Sequence, residues 1–146
     1  MKVEVVDATL DQVYSVLDDI RPADMAEWYA GSGLWFEKAV AEAFEGNEYR
    51  KAALLGGLPL CFWGVGTDGY VWLFATETAE KHALSLHRVL KPELNKLFEV
   101  SPRLLALADS RNTVHHQWLE WLGFSFQEEV PSGPLGMDFK LYTKEA

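Results

Sequence analysis

The segment from residue 102 to residue 130 constrains the fold more than any other part of the chain. An apolar run of strand length at 102–109 is followed by Asn112 and then by a helical pattern over 113–122. Val114, Trp118, Trp121 and Leu122 form the apolar stripe of that helix. Gly123 suits the left-handed position that closes a helix, and a second strand-like run leaves through Phe124. Asn112 is a good N-cap, because its side-chain oxygen accepts a helix N–H. The spacing predicts a strand–helix–strand unit with Asn at its start and a Gly-Phe pair at its exit.

The rest of the chain reads as alternating elements. Residues 2–6 are short, β-branched and alternating, which predicts a strand. Thr9 caps a helix whose Leu10, Val13, Leu17 and Ile20 share one face, and Arg21-Pro22 breaks it. A short helix at 24–29 and a longer one at 34–44 follow, the latter stopped by Gly46-Asn47. Strands at 49–55, 59–65 and 70–75 are joined by Gly56-Gly57 and by the 66–69 turn, a β-meander. Residues 76–90 read as a helix that Pro92 kinks or splits. A last strand covers 137–142. The sum is one domain over 1–146, α+β or mixed α/β, with helices packed on a mostly antiparallel sheet.

Bulk properties narrow the function. A chain of 146 residues with 49% hydrophobic and 13% aromatic content can build a real core. Its six Trp are expected mostly in that core. A net charge of −9 repels phosphate backbones, which argues against nucleic acid and favours basic substrates or partners. Cys61, alone in an apolar run, reads as an inert core thiol of a reducing compartment. Charge within the first apolar run argues against a signal peptide. No stretch approaches about 20 uninterrupted apolar residues, so no membrane span is expected. No His, Cys or carboxylate set has metal-ligand spacing, so no metal is expected.

The order of elements, with Asn112 eleven residues before Gly123, resembles the GNAT acyltransferase fold. The resemblance implies a parallel pair at about 70–75 and 104–109 that splays into a wedge, where active members hold acetyl-CoA. Two features of that family are missing. The segment 75–82 has no glycine for the phosphate-cradling loop, and it sets Glu77 and Glu80 at a helix start, where they repel a diphosphate. Leu119 stands where many members carry a Tyr that protonates the departing thiolate, and His115 stands where a small residue is usual.

A more specific match is to the internal virion (internal core) protein family of short-tailed bacteriophages. It rests on Arg21-Pro22-Ala-Asp24-Met-Ala-Glu27, on Pro59-Leu60 with Gly64, on Trp72 with Thr76, and on Asn112 with Leu119, Leu122, Gly123 and Phe124. This implies a role in virion morphogenesis, with a degenerate acetyl-CoA site and virion or scaffold proteins as partners. The setting would be the host cytoplasm or the virion interior. The alternatives are an active acetyl-CoA-dependent N-acetyltransferase acting on an amine or a protein lysine, and an effector that binds a host protein. For catalysis, Glu27 and His116 are candidate bases. Thr76, Asn112 and His115 are candidate acetyl-CoA contacts. The duller readings stand beside these: Asp24 and Glu27 as a helix charge pair, and His115-His116 as polar residues on a solvated or capping face.

Overall fold

A computed structural model describes residues 2–146. Strand β1 (Val3–Asp7) is followed by α1 (Leu10–Ser15), a 3-10 turn (Leu17–Asp19), α2 (Pro22–Ser32) and α3 (Phe36–Gly46). The meander β2 (Tyr49–Leu55), β3 (Leu58–Val65) and β4 (Val71–Ala75) comes next. Helices α4 (Glu77–Glu80) and α5 (Ala83–Leu97) lead to β5 (Arg103–Asp109), α6 (Thr113–Trp121), β6 (Ser125–Ser132) and β7 (Met137–Glu145).

The strands form two antiparallel sheets, in the orders β1-β2-β3-β4 and β5-β7-β6. They meet at one parallel bridge, Tyr70 to Leu105, where the Leu105 N–H donates to the Gly69 carbonyl at 2.9 Å. Beyond it β4 and β5 part, as expected of the splayed pair. The helices cover both faces of the first sheet. Phe62 and Phe74 face Val13, Phe36 and Val40 of α1 and α3. Cys61, Trp63 and Leu73 face Leu86, Leu90 and Leu94 of α5 and Leu119 of α6. Strand β3 is therefore buried from Pro59 to Val65. Cys61 is fully buried, and its thiol is pushed up to about 12 by desolvation.

Several local expectations change. The first helix ends at Ser15, and the 3-10 turn carries Ile20 into an antiparallel bridge with Thr76. Pro22 separates two helices as expected but is itself the first residue of α2, two residues before the expected start, because proline lacks only an N–H that the first helical turn leaves unpaired. The break expected at Pro92 does not occur. Helix α5 runs through it, anchored by buried Leu86, Leu90, Leu94 and Leu97, and the interruption falls at 81–82. Four Trp are buried or half-buried, but Trp35 is 80% exposed and Trp121 51% exposed.

Gly69 sits at the apex where the sheets join, at φ +85°, and a Cβ there would strike the Arg103 carbonyl oxygen. Gly57, in the β2–β3 turn at φ +83°, has open space instead. Gly69→Ala is expected to lower stability by about 2–3 kcal/mol and Gly57→Ala by about 1 kcal/mol. Urea midpoints at constant slope measure the difference.

Candidate functional site

Parting strands leave backbone groups that no neighbouring strand can satisfy, and buried ones need partners. At the end of β4, Ala75 turns both its N–H and its carbonyl away from β3. The carbonyl accepts from the Arg21 N–H at 3.0 Å, and the N–H donates to Asp24 Oδ2 at 2.8 Å. At the end of β5, the Asp109 N–H donates to Glu27 Oε1 at 2.7 Å. Asp24 and Glu27 lie three apart on α2, so one helix face carries a carboxylate to each side of the wedge.

Further side chains fill the space between them. The Arg21 guanidinium donates to Asp24 at 2.7 Å, to Asn112 Oδ1 at 3.2 Å and to Glu80 at 2.6 Å. The Asn112 amide donates to Asp24 Oδ1 at 2.8 Å. The His115 Nδ1–H donates to Glu27 at 2.9 and 3.0 Å. Arg21, Asp24, Glu27, Asn112 and His115 are all buried. Burial by itself would lower the His115 imidazole, but the charge and hydrogen bond of Glu27, with Asp24 behind it, raise it above its ordinary value. A protonated His115 beside Arg21 balances the two buried carboxylates.

Thus Glu27, Asn112 and His115 meet at one place, and His116 and Thr76 do not join them. The His116 Nε2–H donates to the Asp109 carbonyl at 2.9 Å, and burial pulls its imidazole below the ordinary value. Thr76 Oγ1 donates to the Leu60 carbonyl at 3.0 Å and accepts from the Ala79 N–H at 3.1 Å, so Thr76 caps α4. Asn112 occupies the N-cap position of α6, yet its side chain makes no capping bond. His115 and His116, read as polar residues on a solvated or capping face, are buried, and Asp24 and Glu27, read as a helix charge pair, are buried with partners on other elements. Sequence reasoning missed Arg21 as the centre of the network and Asp19 as a helix-start partner. The Arg-Pro-x-Asp-x-x-Glu run was the available signal.

The start of α4 is occupied in the same way. The Thr78 N–H and hydroxyl donate to Asp19 Oδ2 at 3.3 and 2.6 Å. With the Ala79 N–H taken by Thr76, two of the N–H groups a diphosphate would use are already bonded. Asp19, Glu77 and Glu80 surround them with negative charge. Among the described residues, no group of three or more His, Cys, Asp or Glu is placed to hold a metal. Among the same residues, no helix is long and apolar enough to cross a membrane.

No protein-family profile and no curated protein sequence matches the chain. Solved structures match over its whole length. Ard1 from Thermoplasma volcanium aligns with a TM-score of 0.74 at 10% identity, covering 100% of this chain and 99% of its own. The aminoglycoside acetyltransferase AAC(6')-Ib, solved with ribostamycin and coenzyme A, aligns at 0.71 and 14%, covering 99% and 94%. The acetyltransferase yncA from Salmonella typhimurium, solved with acetyl-CoA, aligns at 0.67 and 11%, covering 99% and 94%. The chain has the GNAT acetyltransferase fold.

The residues present do not fit the cofactor that this fold implies. A pantetheine arm would have to displace a buried, mutually satisfied ion network, and a diphosphate would meet three carboxylates.

Two variants report on the network. Asp24→Ala removes the buried carboxylate that Arg21 bonds, leaves the Ala75 N–H without its acceptor, and is expected to cost about 3–5 kcal/mol in chemical denaturation. A raised imidazole binds its proton more tightly in the folded chain. Its stabilisation is complete below pH of about 6.5 and fades as pH climbs through the folded value. The native chain should therefore exceed His115→Gln in stability most at acid pH, with the gap narrowing as pH rises.

Proposed function

We propose that this chain is a GNAT-fold protein without acetyl transfer, acting in virion morphogenesis as an internal virion or assembly protein. The observation that carries the reading is the filled wedge. Arg21, Asp24, Glu27, Asn112 and His115 satisfy one another and the ends of both parted strands, so paired side chains occupy the space where the two strands end.

The residues that carry the phage-family resemblance have structural roles in this chain. Arg21, Asp24 and Glu27 reach Asn112. Thr76 bonds the Leu60 carbonyl. Trp72 lies over Gly64, where a Cβ would collide with the indole. Leu119, Leu122 and Phe124 are core residues. Partners on this reading are virion or scaffold proteins.

A second reading, an acetyl-CoA-dependent N-acetyltransferase, is favoured by one feature. A cavity of about 260 Å³, open to solvent, lies beside the wedge with Glu27 and His115 in its wall.

Calorimetry with acetyl-CoA separates the two. The proposal expects no saturable heat at ligand concentrations up to about 1 mM, whereas a Kd in the micromolar range would replace it with the second reading. Deleting the gene from the phage that carries it should yield defective particles. Infectious particles of unchanged protein composition would overturn the virion role.

A further inference from the structure

Helix α5 carries two stripes. Leu86, Leu90, Leu94 and Leu97 are buried in the core. Leu84, His87, Arg88 and Lys91 stand at spacing i, i+3, i+4 and i+7, which puts them on a second face. Leu84 is 67% exposed, Arg88 and Lys91 are exposed, and His87 is half-buried. Leu84 belongs to neither core cluster.

The end of α6 borders this second face. The His87 ring meets the Trp121 indole edge-on, 5.7 Å between ring centres, and Trp121 remains 51% exposed. The seam between the two helices is lined by Ala83, His87, Leu90, Trp118, Trp121 and Leu122 and is closed even to water, so it offers a surface and not a pocket. Lys144 of β7 caps the same end of α6, where its ammonium donates to the Leu122 carbonyl at 2.8 Å. Burial, with the charge of Lys91 added, holds both the His87 imidazole and the Lys144 amine below their ordinary values. Lys91 is therefore near both groups, which brings the ring pair and the cations into one patch.

Charge sets what this patch accepts. The chain carries a net charge of −9, yet residues 81–92 hold Lys81, Arg88 and Lys91 and no carboxylate. The carboxylates that flank the segment are engaged elsewhere: Glu80 pairs with Arg21 and Glu93 with Lys96. Glu120 precedes Trp121 but lies about 100° round the helix from it, and its charge acts on Tyr142. Among the described residues, no ion pair takes Arg88, Lys91 or Lys144. Like charges gathered without an internal partner are unfavourable in the free chain, and an external counter-charge relieves them. An exposed Leu and Trp beside unpaired cations have the apolar centre and charged rim of an interface.

We infer that this face of α5 and the end of α6 dock an acidic segment of a partner protein, which lays one apolar side chain on Leu84 and Trp121 and turns its carboxylates to Arg88 and Lys91. Nucleic acid is the other common polyanion, and the net charge of −9 disfavours it. The inference rests on the assembly reading for its expectation of a protein partner, while its residues lie outside the wedge network.

The test uses the intact chain, isotope-labelled, titrated at about 0.15 M salt with a short synthetic peptide of Glu and Ser carrying a single Phe. The comparison ligands are the peptide with Lys for Glu, the peptide with Ser for Phe, and an oligothymidylate of equal charge. The expected result is saturable shifts of the Leu84, Arg88 and Lys91 amides and the Trp121 indole that weaken with added salt, with every comparison ligand bound at least about tenfold less tightly. Lys91→Glu and Leu84→Ser, at exposed positions, should each weaken binding at least about tenfold while the remaining signals keep their positions. Lys38→Glu, exposed on α3, changes the net charge equally and should leave the affinity within about twofold. No shift at millimolar peptide, unchanged affinity in Lys91→Glu, or an equal loss in Lys38→Glu would overturn the inference. Equal or tighter binding of the oligothymidylate would also overturn it, assigning the patch to nucleic acid. Concentration-dependent change of the same signals without ligand would do so too, assigning the patch to a second copy of this chain. The titration contains no acetyl-CoA, so its failure and a positive acetyl-CoA calorimetry are told apart.

Discussion

Two carboxylates on one face of α2 take the place of a missing strand. Where β4 and β5 separate, Ala75 and Asp109 each present an N–H that a neighbouring strand would normally satisfy. Asp24 and Glu27 accept those two bonds from across the wedge. This arrangement fixes the position of α2, and through it the position of the cavity and of the α2–α3 connection. It also brings in the remaining members of the network, because a buried carboxylate needs counter-charge and donors of its own. Arg21, Asn112 and His115 supply them.

A polar network of this kind is a weak source of net stability and a strong source of definition. Apolar residues of similar volume would fill the wedge at least as well. They could not bond the strand ends, and they would not specify one register between α2 and the two sheets. The fold parts two parallel strands, and at their ends this chain places groups that satisfy one another. The same substitution recurs at the start of α4, where Asp19 and Thr76 take N–H groups suited to an anion. The ends of the parted strands and the start of α4 are thus both occupied by internal hydrogen bonds.

Much of the architecture was legible because it is local. Gly56-Gly57 set the β2–β3 hairpin, Gly123 set the end of α6, and the stripe of Leu86, Leu90, Leu94 and Leu97 set α5. The same stripe outweighed Pro92, whose local rule predicted a break. The site was legible only in part. Asn112 reads as a helix cap from its neighbours, yet its partner Arg21 lies 91 residues away. No periodicity encodes such a contact. His115 and His116 look alike in sequence, and only the tertiary structure turns one to Glu27 and the other to the Asp109 carbonyl. The spacing of Asp24 and Glu27 did show that they share a face. What that face meets was not readable until β4 and β5 were placed beside it.

Hydrogen exchange at the two strand ends tests the filled wedge most directly. If Asp24 and Glu27 hold the Ala75 and Asp109 amides, both should exchange as slowly as the interior of β3, and added acetyl-CoA should not change them. Exchange at the rate of exposed loop amides, or new protection on adding acetyl-CoA, would mean that the wedge is open and the account is wrong.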